Sequence, residues 1–131
     1  MKKTLLIVFH LFAAIVFAQD AELPIEETIY KDSLVDTKPE FPGGIDNCYK
    51  YFNGKITKPK VPALVDKVVL SFVVEKDGTL SDIRIIHDAG FGTGEQAVKI
   101  LEEGPKWIPG DKDGKRVRVF QTLPIAILTE E

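Results

Sequence analysis

The sequence predicts an α+β fold, a three-stranded antiparallel sheet with two helices packed on one face in the order α-β-β-α-β. Three observations carry this expectation. VVLSFVV (68–74) and LSDIRIIH (80–87) are runs rich in β-formers on either side of Asp77-Gly78, a dipeptide that accepts the positive φ of a tight hairpin turn. IDNCYKYFN (45–53) and EQAVKILEE (95–103) repeat apolar residues at the three- and four-residue spacing of a helix stripe. KRVRVFQTLPIAI (115–127) is the longest strand candidate in the chain, and it carries a proline, Pro124, near its end.

Ahead of the first helix the chain divides in two. Residues 1–18, MKKTLLIVFHLFAAIVFA, have a basic start at Lys2 and Lys3, an apolar run over 5–17, and the short residues Val16 and Ala18 before Gln19. This is the pattern of a secretory signal peptide cut after Ala18. As a membrane anchor the run is short: thirteen residues at 1.5 Å each give roughly 20 Å of helix against a hydrocarbon core of ~30 Å, and His10 interrupts it. Loss of this leader removes Lys2 and Lys3 from 17 Lys and Arg and nothing from 20 Asp and Glu, which leaves 15 against 20 and a net charge of −5. So acidic a chain has no electrostatic footprint for DNA or RNA. Its lone cysteine, Cys48, excludes a disulfide within the chain and lies too far along to be the lipidated first residue of a lipoprotein.

Residues 19–38 scatter acids without a sustained period and are expected to form a flexible lead-in, with the folded domain spanning 39–131. PEFPGG (39–44) delivers the chain into the first helix, where Ile45, Cys48, Tyr49 and Phe52 share one stripe and Asn53-Gly54 supplies the stop. A Pro- and Lys-rich connector (55–62) leads to the first strand. That strand sets Val68, Leu70, Phe72 and Val74 on one face and Val69 and Val73 on the other, as suits a strand inside a sheet. After the hairpin and its return strand, DAGFGTG (88–94) is a loop, and Thr93 with Gln96 reads as a capping box for the second helix. Ala97, Ile100 and Leu101 give that helix its apolar face, and Gly104-Pro105 ends it. Trp107 follows, read as core filler at the seam rather than as an exposed docking aromatic.

PEFPGG before a short helix, FVVEKDGTLSDI across a hairpin, EQAVKILEEGPKWIPG through a helix to a tryptophan turn, and GKRVRV with TLPI at the end occur in one order over about 39–127. Together these motifs resemble the TonB C-terminal domain family, in the form common among Bacteroidetes-type bacteria. The resemblance implies helices on one side of a three-stranded antiparallel sheet, a periplasmic location, no cofactor and no catalytic residue. It implies a protein partner, the TonB box near the N-terminus of outer-membrane receptors in TonB-dependent transport, captured by β-augmentation beside the final strand. Proline within a sheet belongs to edge strands, so Pro124 agrees with a last strand that leaves one flank open. The expected partner-binding residues are therefore Lys115, Arg116, Val117, Arg118, Val119, Phe120, Gln121 and Thr122, whose cations suit an acidic or carboxylate-bearing segment. A charge-protected edge that binds nothing is the plainer alternative. An open edge also allows a homodimer by strand pairing.

The chain departs from the family pattern in places. Lys58-Pro59 stands where the family often has Tyr-Pro, and Asp66-Lys67-Val68 where it has Gly-x-Val. Phe120-Gln121 stands where a polar residue more often precedes the aromatic, so that either a bulge restores the register or Phe120 is exposed. No long Pro-rich spacer is evident, since residues 19–38 reach at most about 70 Å when extended. A second functional expectation follows, a free-standing soluble module of the same fold with another envelope-binding role and no force transfer.

Other constellations are weak. Ser71, Ser81, Asp82, His87 and Asp88 have the residue types of a hydrolytic triad, but no G-x-S-x-G elbow holds either serine. His87-Asp88 offers too few ligands for a metal. Cys48 reads as a small buried hydrophobe. GFGTG (90–94) looks like a phosphate-cradling loop at a helix N-terminus but lacks the lysine and hydroxyl of a P-loop and is followed by Glu95. No enzymatic activity, metal or cofactor is expected.

Overall fold

The computed structural model describes residues 27–131, and the leader expected over 1–18 lies outside them. The elements are β1 (Ile29–Lys31), a 3-10 turn (Asp32–Leu34), α1 (Ile45–Asn53), β2 (Val65–Val74), β3 (Leu80–His87), α2 (Thr93–Glu102), β4 (Gly110–Lys112) and β5 (Lys115–Leu128). The α+β class, both helices, the central hairpin and the long last strand are as the sequence predicts.

The sheet is not the expected three-stranded antiparallel one. Among the described residues it has five strands and is mixed, in the order β1-β5-β2-β3 with β4 paired to β5. β5 is antiparallel to β2 in an unbroken ladder from Val65↔Leu128 to Val74↔Val119. On its other flank it is parallel to β1, with Ile29↔Arg118, Tyr30↔Val119 and Lys31↔Phe120. The stretch expected as a flexible lead-in over 19–38 therefore joins the fold from Ile29 on, and an isolated bridge, Thr37↔Asp111, ties it down again before Pro39. Both missed strands are three residues long and are held by what they pair with rather than by a pattern of their own.

The two helices cover one face of the sheet. Cys48 and Phe52 from α1 and Ala97, Ile100 and Leu101 from α2 pack on Val68, Leu70, Phe72 and Val74 of β2 and on Leu123, Ile125 and Ile127 of β5. Each fully buried side chain of this size contributes about 1.5–3 kcal/mol over exposure. Trp107 fills the seam as expected: it is buried and stands edge-on to Phe41 and Phe72, at centroid separations of 5.7 and 5.1 Å. Its main-chain N–H donates to the carbonyl of Gly78 at 2.9 Å, so the β2–β3 turn is clamped from the far side of the sequence.

The start of α2 differs from the expected capping box. Thr93 is already helical and donates its hydroxyl to the Gly90 carbonyl at 2.6 Å, while Gln96 Oε1 accepts the Thr57 N–H at 2.8 Å. The cap is Asp88, whose Oδ1 accepts the N–H groups of Gly90 and Gly94 at 2.8 and 3.2 Å. A carboxylate at this end satisfies one orphan donor of the helix, the Gly94 N–H, and suits the helix dipole.

Candidate partner-binding site

The eight residues expected to bind a partner all lie on β5, but their flank is not open throughout. Lys115, Arg116 and Val117 pair with Lys112, Asp111 and Gly110 of β4 across a two-residue turn, Asp113-Gly114, with φ of 52° and 76°. Arg118, Val119 and Phe120 face β1 on one side, and Val119, Phe120, Gln121 and Thr122 face Val74, Val73, Phe72 and Ser71 of β2 on the other. The expectation of a free edge over 115–122 is thereby corrected: β1 and β4 hold its first six residues. Beyond Phe120, among the described residues, β2 is the only strand paired with β5.

Pro124 shows which main-chain groups face that open flank. Successive residues of a strand turn their N–H and C=O groups to opposite neighbours. Pro124 stands opposite Val69 inside the unbroken ladder, and it leaves that ladder intact only where its missing N–H would have faced away from β2. The even-numbered residues of β5 therefore point their main-chain groups away from β2. Arg118 and Phe120 meet β1, in agreement with Tyr30 sitting in register with Val119, and Thr122 is the next with an N–H to offer.

Side-chain directions follow the same alternation. Val119, Leu123, Ile125 and Ile127 are buried against the helices' side, and Phe120, Thr122, Pro124 and Ala126 are exposed on the opposite face. No bulge interrupts β2·β5, so the inverted Phe120-Gln121 pair leaves Phe120 exposed, the second of the two expected outcomes.

Charge gathers where β1 enters. Arg118 donates from Nε to Glu75 Oε1 at 2.7 Å, from Nη2 to Glu75 Oε2 at 3.1 Å and from Nη1 to the Glu27 carbonyl at 3.1 Å. The Arg118 guanidinium, helped by the Ser81 hydroxyl, holds the Glu75 carboxyl below its usual range against the effect of burial. Lys76 pairs with the Glu27 carboxylate, and Lys112 Nζ lies 5.9 Å from the centre of the Tyr30 ring. Lys115 and Arg116 complete the wall of an open cleft of about 460 Å³. Neither has a carboxylate partner among the described residues.

Elsewhere the chemistry is structural. Asp88 fills the helix N-terminus that GFGTG offered to an anion. His87 Nε2 lies 2.9 Å from Asp66 Oδ1 across β2 and β3, and the Ser81 hydroxyl is given to Glu75. Among the described residues no three His, Cys, Asp or Glu side chains gather as for a metal ion. None of the helices among them is long and apolar enough to cross a membrane.

An α+β sheet with both helices on one face and a long strand whose second flank is only partly filled defines a class of module with main-chain groups open along one strand. Residues 63–126 match the family described as Gram-negative bacterial TonB protein C-terminal, and this match supports the TonB C-terminal domain family for that segment of the chain. The match runs from just before β2 to near the end of β5 and leaves β1 and α1 outside it. No curated protein and no solved structure matches the chain. β1 carried a faint signal in Thr28-Ile29-Tyr30, three β-formers among acids, and β4 carried a clear one in Asp113-Gly114, the same turn chemistry that marks the central hairpin.

Proposed function

We propose that this chain is a periplasmic protein-interaction module, delivered by its leader, that binds N-terminal segments of outer-membrane TonB-dependent receptors in the service of transport. The receptor segment adds as a strand to the flank of β5 that faces away from β2. The observation that carries the reading is that flank: β5 is fixed along one side by an unbroken ladder, and beyond Phe120 no other strand among the described residues covers its second side. Main-chain pairing of this kind gives affinity with little demand on sequence. The match of residues 63–126 to the Gram-negative bacterial TonB protein C-terminal family supports it further.

The pairing row is short. Arg118 and Phe120 already meet β1, so Thr122 is the one outward donor left before Pro124, which has none, and Ala126 and Leu128 follow beyond it. Thr122→Pro is the informative change, since Thr122 is exposed and its N–H faces away from β2, so that the β2 ladder survives. Val119→Pro would instead test folding, because Val119 is buried and paired on both sides. The expected result is that Thr122→Pro weakens binding of receptor N-terminal peptides by about fivefold or more, one main-chain hydrogen bond being worth ~1 kcal/mol. Unchanged affinity in a folded variant overturns the proposal.

A further inference from the structure

We infer that the cationic cleft where β1 enters the sheet selects the partner: it takes an extended segment with a carboxylate two residues ahead of an apolar one, and residues 27–31 of the chain are its resident occupant. This rests on the β-augmentation reading above and deepens it by naming the chemistry of the segment.

Three observations lead there. β1 lies parallel to β5 on the flank in question and takes up the outward groups of Arg118 and Phe120, two of the three donors before Pro124. The segment arrives acid first: the Glu27 carboxylate meets Lys76, its carbonyl accepts from Arg118, and Ile29 and Tyr30 follow, with Lys112 over the Tyr30 ring. The cleft also has charge to spare, because Lys115 and Arg116 are exposed beside it without a carboxylate partner among the described residues. A segment more acidic than the chain's own therefore fits better than the chain's own.

The resident is held lightly. It pairs over three residues and leaves Ile29 45% exposed. What keeps it in place is its attachment, which gives it an effective concentration on the order of millimolar. A partner reaches the donors of Arg118 and Phe120 only when β1 has left, so its apparent affinity falls by the fraction of molecules in which the flank is vacant.

The test uses the full chain and a labelled peptide copy of the resident, ETIYKDSL (27–34), with KTIYKDSL as the charge-reversed probe. Tyr30→Pro removes the N–H that β1 gives to β5. The expected result is that the Tyr30→Pro chain binds ETIYKDSL at least about tenfold tighter than the unchanged chain does, and that KTIYKDSL loses this gain. Glu27→Lys, at an exposed position, reads the same competition if the proline variant does not fold. Equal binding of ETIYKDSL by the competing and released chains overturns the inference, as does equal binding of the two probes by the released chain. Receptor peptides form a separate arm. If they bind the released chain while ETIYKDSL does not, this inference falls and the receptor reading stands; if ETIYKDSL binds and no receptor peptide does, the receptor reading falls.

Discussion

Gly78 shows how much one residue can carry. It closes the β2–β3 turn at a φ of 86°, and a Cβ built there would stand 2.1 Å from the carbonyl oxygen of Trp107. Any side chain must push away the backbone that seats the Trp107 ring between Phe41 and Phe72. Gly78→Ala is expected to destabilise the fold by ~3 kcal/mol or more, the sum of left-handed strain and a backbone clash in the core. Gly90→Ala isolates the first term, because Gly90 has a similar φ of 84° and nothing within 4 Å of its Cβ position, and about 1–2 kcal/mol is expected there. Urea midpoints for the two variants check the difference.

Between elements, the clasp of Glu75 and Arg118 joins the end of β2 to β5 and, through the Glu27 carbonyl, to the approach to β1. Arg118 lowers the Glu75 pKa from its ordinary 4.5, and a carboxylate depressed in the folded state stabilises the fold above that ordinary value. That contribution is lost as pH falls through the depressed value. Acidification from about pH 6 to about pH 3 should therefore cost the unchanged chain more stability than it costs Glu75→Gln, which lacks the titrating group and starts out less stable. Denaturation midpoints across that range measure it. Elements of this kind also mark how far the sequence could be read. β2, β3, β5 and both helices announce themselves because their apolar residues repeat at period two or 3.6 over eight residues or more. β1 has no such repeat, being three residues inside an acidic stretch that becomes a strand by pairing with Arg118–Phe120, 89 residues away in sequence. The flank of β5 was legible from Pro124, and its occupant was not.

At the scale of the whole molecule, Cys48 reports on integrity. It is fully buried under α1, and burial raises its pKa from 9.0 to about 11. At about pH 8 this alone cuts the thiolate fraction roughly a hundredfold, and access cuts the reaction further. Iodoacetamide should label the native chain at least about a hundredfold more slowly than the urea-unfolded chain, and labelling within minutes in the native state would contradict the packing of α1. Pro124 has a last consequence on this scale. A sheet with a bare side is a seed on which sibling chains can stack without limit, and the growth of a fibre needs each newcomer to find an uninterrupted row of donors. By deleting one donor midway along the bare side, Pro124 breaks the row on which a sibling chain would stack, so the edge is a poor nucleus for a polymer of this domain.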